Sequence, residues 1–441
     1  MVVGSLLGYA VALHVVYAQH ISPQFADEGL TYRSPAVIGY GLVLLLLAGV
    51  GLLMPRRITR VSHFMLWVLL LTVGAPSALV AQYATTLDTT QGFILGLVTL
   101  VVFAFLAVGV QLGPPTRLVM QRHIPVPHFW AALAALSIVI YAYLFIAAGL
   151  RLSYLSFTDV YEVRNRYVSH LASAPGLAYL VPTQYTVLNP LIMIRGLARR
   201  RASLLAIGVV AQALLYLATG EKSILFSVLI VPAVFLATRR GRLQPATLIW
   251  SLIAAGAGAW LLDQVTGSSL WTSIYVRRFL IVPGALTGAY VSVFSGHAKG
   301  NFSDVIGLIP SSFHQSAAEV VGRQFTHEED VSANASWLAH GYYSLGYAGV
   351  ALETLLVLIL LLTAEAVTRR LPLSVACALF VLPVIALASS SPFTTILSHG
   401  YLVAVLVALT LPAIDRDDSS REGQQLPSWS SALRARRRQV R

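Results

Sequence analysis

The sequence is poor in charge: of 441 residues only 11% are Asp, Glu, Lys or Arg, against about 25% in an ordinary soluble domain. Cysteine is almost absent. The one copy, Cys377, sits in an apolar run, so no disulfide framework and no Cys-rich metal site is available. Lysine is scarce too, with 2 Lys beside 28 Arg and only 18 acids. No Walker-type Gly-rich loop occurs, and no polar stretch between apolar runs is long enough for a nucleotide-binding domain on the basic side. These shortages exclude a soluble globular enzyme, a secreted disulfide scaffold and an ATP-driven pump encoded in this chain alone. Apolar residues are abundant: 57% of the chain, with a mean hydropathy of +0.74. At roughly 20 residues per crossing this furnishes about a dozen transmembrane helices. The predicted fold class is all-α, a polytopic membrane helix bundle.

Twelve apolar runs are long enough to span, at about 1–19, 36–54, 63–83, 92–112, 129–149, 176–194, 202–219, 223–238, 245–262, 340–365, 373–390 and 394–413. The first begins at Met1 with no basic flank, which argues against a signal peptide. Alternate loops are basic: Arg56, Arg57 and Arg60; Arg117 and Arg122; Arg195 with Arg199–Arg201; Arg239, Arg240 and Arg242; Arg369 and Arg370. With the tail they hold 21 of the 30 cationic residues. The positive-inside rule makes these loops and both termini cytoplasmic. The net charge of +12 is then a matter of orientation, and no nucleic-acid partner is implied. Residues 1–414 read as a single transmembrane domain, and 415–441 as a basic, disordered cytoplasmic tail lying along the membrane. Asp415 and Asp417 in that tail mimic an Asp-x-Asp motif without a domain around it. Two larger extracytoplasmic loops, about 150–175 and 263–339, hold most of the polar material.

Three outer segments carry candidate chemistry. Residues 159–167 place Glu162 and Arg166 at i, i+4 on a helix, either as a solvated pair or, with Arg164, as guanidinium groups offered to an anionic lipid headgroup. The turn Thr219-Gly220-Glu221-Lys222-Ser223 pins a Glu–Lys dipeptide between two spans. Lys222 is a candidate phosphate-directed cation, with Glu221 its orienter or a proton acceptor; the plainer reading is a pair of interface anchors. Third, Arg277-Arg278 heads a mostly apolar stretch through Ser295 that reads as a half-inserted or interface-lying helix. Read instead as one more span, that stretch would invert all later topology. Seven of the eleven histidines fall on the outer side, among them His297, His314 and His340, and near-neutral titration makes them candidate bases. None has the short spacing of a helix-borne metal site, so neither a metal nor a cofactor is expected. Glu353, inside a span, is expected to pair within the bundle. Asp27-Glu28 in the first outer loop is a possible acidic catalytic pair in a loop of only about 16 residues.

These features resemble the O-antigen polymerase (Wzy-type) and oligosaccharide repeat-unit polymerase family. The residues that carry the likeness are Tyr161 to Arg166, Thr219 to Ser223, Arg277 to Gly284 with Tyr290 and Phe294-Ser295, and Ala333-Asn334-Ala335 followed by His340 to Val350. The Arg-x10-Gly spacing of that group is met by Arg277 and Gly288; Arg164 and Gly176 enclose eleven residues, and Lys222 stands where relatives more often carry Arg. The resemblance implies a GT-C-like bundle in a bacterial inner (plasma) membrane. It also implies transfer of polyprenyl-diphosphate-linked repeat units on the extracytoplasmic face, building O-antigen, capsule or exopolysaccharide. The implied partners are lipid-linked donor and acceptor, the bilayer, a chain-length regulator and a flippase. Arg164, Arg166, Lys222, Arg277 and Arg278 would then bind the diphosphate, and His297, His314, His340 or Glu221 would accept the acceptor's proton. Three alternatives stay open. They are a lipid-linked glycan ligase, a polyprenyl-phosphate-sugar transferase with Asp27 as base, and, in another class, a glycan flippase.

Overall fold

The computed structural model describes residues 1–113, 124–148, 160–171, 174, 176–305, 313, 315–326 and 332–412. Among them every regular element is helical. In chain order these are α1 (Val2–Glu28), α2 (Val37–Leu53), α3 (Val61–Tyr83), α4 (Thr89–Leu112), α5 (Val126–Ala148), α6 (Val160–Leu171), α7 (Leu177–Ala198), α8 (Ala202–Thr219) and α9 (Lys222–Thr238). There follow α10 (Pro245–Thr266), α11 (270–294), α12 (Ala317–Thr326), α13 (Trp337–Leu345), α14 (Tyr347–Thr368), α15 (Leu373–Ala386), α16 (Pro392–Leu397) and α17 (Tyr401–Thr410). Ten of the twelve apolar runs each fall on one of these helices, while 340–365 is divided between α13 and α14 and 394–413 between α16 and α17. Eight are long and apolar enough to cross a bilayer: α1, α3, α4, α5, α7, α8, α10 and α14; α2, α9, α15 and α17 are shorter apolar helices. Leu45, Val101, Ile138, Val210, Leu229 and Leu406 stand exposed on the outer faces, as lipid contact requires. This is a polytopic helical membrane protein.

Four helices contain a stretch of widened π-helix: Tyr17–Ile21, Leu70–Gly74, Gln184–Leu188 and Ser273–Ile281. Each is followed two residues later by a proline, at Pro23, Pro76, Pro190 and Pro283. A proline inside a helix lacks its N–H and clashes with the carbonyl four residues back. Those carbonyls, of Gln19, Thr72, Thr186 and Phe279, all lie within the widened stretches, which relieve the clash by taking in an extra residue. Proline alone does not suffice, because Pro232 and Pro383 sit in helices without a widened turn.

α3 is the hub, buried along its length and packed against α4, α11, α14 and α15. α7, α8 and α9 form a second group with a polar centre, where Asn189 Nδ2 donates to Gln212 Oε1 at 3.1 Å and Gln212 Nε2 to Ser227 Oγ at 2.7 Å.

Cross-links sort the loops onto two ends. Ile58 and Leu243 exchange both backbone hydrogen bonds at 2.9 Å, and Arg60 and Arg369 grip Glu365 at 3.1 and 2.8 Å. These basic loops therefore share one end. At the opposite end Arg33 N–H donates to the Tyr83 carbonyl at 2.7 Å, and Gly300 and Asn301 donate to the carbonyls of Tyr343 and Ser344. α10 starts beside Leu243 at the basic end and α11 follows its far terminus, where the buried Asp263 carboxylate caps the backbone N–H groups of Trp271 and Thr272 at 2.8 Å each. After α11 the Lys299 ammonium rests 4.3 Å from the Tyr342 ring centre, again at the end opposite the basic loops. The chain thus leaves and re-enters at one end, so α11 does not invert the orientation of the helices after it.

Candidate active site

The turn between α8 and α9 depends on Gly220, whose φ of +68° suits glycine and closes α8 through a 2.8 Å bond to the Tyr216 carbonyl. It presents Glu221 just outside α9 and Lys222 as that helix's first residue. Arg164, on α6, approaches Glu221 with Nε 3.4 Å from Oε1, both side chains part exposed. Two sequence candidates from separate segments are therefore paired. Arg166 lies on α6, but its side chain and that of Glu162 fall outside the described residues, as does His314.

One turn into α9, the ring of Phe226 meets Phe279 edge-on, with centroids 5.6 Å apart. Phe279 follows Arg278, so the Glu221–Lys222 turn adjoins the widened segment of α11 that carries the arginine pair. Arg278 is exposed. Arg277 turns toward the end of α1, where it pairs with Glu28 and lies 4.1 Å from the Phe25 ring centre. Its Nε is buried with no partner. Gly29 closes that end of α1 at φ +77°, pressed so tightly on the Phe325 carbonyl that a Cβ would come within 2.7 Å.

The histidines differ sharply. His297 is exposed, with Nδ1 2.7 Å from the Val293 carbonyl four residues back. His340, on α13, is held between two carboxylates: Nδ1 meets Glu353 of α14, and Nε2 lies 2.8 Å from Asp304 Oδ2. Burial alone would discharge this imidazole, but its bonds to Asp304 and Glu353 outweigh that and push its pKa up to about 10. Burial likewise works against the Asp304 charge, yet His340 and the backbone N–H groups of Asp304 and Val305 hold its pKa below the usual range. Asp304 reaches His340 because Asn301 and Phe302 both take left-handed backbone angles (φ +51° and +58°), a strained choice for phenylalanine. The Phe302 ring also touches Phe393 of α16, at 6.0 Å between centroids. His399, just beyond α16, is within electrostatic reach of Glu221, and burial lowers its pKa.

The His340 cluster and the cations share an end of the bundle. Tyr290 of α11, within reach of the Asp304 charge, follows Arg278 by twelve residues, about 18 Å of helix. Sequence reasoning singled out neither Asp304 nor Glu28 as a partner of the chosen residues. Glu353 does pair within the bundle as expected, and its partner is a candidate site residue. An ionisable residue inside an apolar run was the available signal; Asp304 had none.

No protein-family model matches the chain, and no curated protein or solved structure matches it either.

Proposed function

We propose that this protein is a membrane glycosyltransferase that polymerises polyprenyl-diphosphate-linked oligosaccharide repeat units on the extracytoplasmic face of a bacterial plasma membrane, with twelve spans in a GT-C-like bundle and both termini cytoplasmic. The supporting observation is the meeting of three cationic segments at the end opposite the basic loops, through the Arg164–Glu221 pair and the Phe226–Phe279 ring contact. By the positive-inside rule that end faces away from the cytosol. No nucleotide supply exists there, so the bond energy arrives with the donor, whose diphosphate leaves with charge that guanidinium and ammonium groups stabilise. Two lipid-linked substrates bring two diphosphates, which gives separate work to Arg164 with Lys222 and to Arg277 with Arg278.

Purified protein incubated with lipid-diphosphate oligosaccharide is expected to produce a ladder spaced by whole repeats. Single transfers without a ladder would instead favour a ligase, and movement across vesicles without new bonds a flippase. A second reading draws on the Glu28–Arg277 pair, which sets the acidic Asp27-Glu28 turn beside a cation: transfer from a polyprenyl-monophosphate sugar with Asp27 as base. Loss of activity in Asp27→Ala with tolerance at Arg277 would select it.

A further inference from the structure

We propose that Asp304, rather than a histidine, accepts the proton of the acceptor hydroxyl, with His340 as the residue that positions it; this rests on the glycosyl-transfer reading above.

The first reason is how the His340 ring is held. Each ring nitrogen of His340 faces a carboxylate, Nδ1 that of Glu353 and Nε2 that of Asp304. An ionised Asp304 carboxylate only accepts, so Nε2 donates to it, while Nδ1 is closed off by the buried Glu353; neither ring nitrogen is open to take a proton from a substrate. With both nitrogens engaged, His340 cannot serve as the base.

Exposure then separates the two carboxylates. The Glu353 side chain is 0% exposed, whereas that of Asp304 is 47% exposed. Of the two, Asp304 is the one whose carboxylate is open to a substrate. The buried Glu353 holds the ring from behind, with its Oε2 left without a partner.

The cluster is also a costly way to join α13 to α14. Apolar packing would serve that purpose with no charge to desolvate, and the strain at Asn301 and Phe302 adds to the cost. Ion clusters of this kind, open on one side, mark places where charge is used. Among the described residues Tyr290 from α11 also lies within electrostatic reach of Asp304, and its hydroxyl already donates to the Ala333 carbonyl at 3.0 Å.

In the step itself the acceptor hydroxyl oxygen attacks the anomeric carbon. The bond from that carbon to the diphosphate oxygen breaks, and its electron pair leaves on the diphosphate. The hydroxyl proton passes to the Asp304 carboxylate and from there to water. A carboxylate that stays ionised at neutral pH suits proton transfer late in such a reaction.

The test uses the full chain in membranes with lipid-diphosphate oligosaccharide. No ladder from the wild type overturns the glycosyl-transfer reading itself, and this inference with it. Given a wild-type ladder, Asp304→Asn is expected to lower kcat by about 100-fold or more with an unchanged KM for donor; a near-normal kcat overturns the assignment while leaving the polymerase reading intact. His340→Gln is expected to retain part of the rate and to move the acid limb of the pH–rate profile up by about one unit or more, since the cation that favours the Asp304 charge is gone. An unmoved limb would reduce His340 to a packing residue and overturn its positioning role. Should the Asn variant not accumulate, Asp304→Glu decides: an acid limb that follows the new carboxyl supports the proposal, and a profile identical to wild type overturns it.

Discussion

A side chain at Gly349 would collide with the carbonyl of Gly341, and one at Gly341 would come within 2.8 Å of the backbone of Gly349 and Val350. That closeness lets α13 fold back along α14 and brings His340 to Glu353, thirteen residues further on. Gly349→Ala is therefore expected to destabilise the protein by about 1–3 kcal/mol through overpacking against backbone that cannot move aside. Thermal melting in detergent would show it, and an unaltered Tm would mean that the hairpin has room for a methyl group.

Pro283→Ala addresses the widened turn that carries Arg277 and Arg278. Without the clash at Phe279 the helix is free to tighten, which rotates both guanidinium groups. Stability should hold or rise, since alanine favours helix, while polymer formation falls at least about tenfold, the effect of misplaced binding groups. Normal chain synthesis in this variant would show that the turn's geometry is immaterial.

Arg277→Ala should abolish polymer formation while leaving the amount of protein in the membrane unchanged. The Arg277–Glu28 pair has a half-exposed carboxylate and is worth about 1 kcal/mol or less to the fold. Reversing it, with Arg277→Glu and Glu28→Arg together, should restore thermal stability but not activity. Near-normal chain lengths from either variant would refute a diphosphate-binding role.

The folded-state pKa of His340, about 10, lies above the 6.5 of an unperturbed histidine. Its contribution to stability is therefore full below pH 6.5 and is lost as pH rises through about 10. Melting temperatures measured from pH 6 to 11 should fall more steeply for wild type than for His340→Gln. Parallel curves would place the linkage elsewhere.

How far the sequence revealed this molecule depends on the element. Hydropathy located all twelve apolar helices, because lipid and protein interior select the same side chains. For that reason it could not distinguish α3, enclosed by protein, from the equally apolar α5, which is largely open. The widened turns were written in the chain as four prolines, yet each reads equally well as an ordinary start of a helix. Arg164, Glu221 and Arg277 stood out as charges in outer segments. Asp304 did not, because its approach to His340 runs through the left-handed Asn301 and Phe302, a local geometry with no compositional mark.

The enclosure of α3 bears on how the chain is made. This helix precedes α14 and α15, which wrap it, by ten intervening helices, so they emerge from the ribosome long after it. Until then its inner faces, including Ser62, which finally meets Glu365 of α14, must be sheltered by lipid or by insertion machinery. Premature termination before α14 would leave the central helix uncovered, so such fragments should be prey to membrane proteases even when every span they contain is intact.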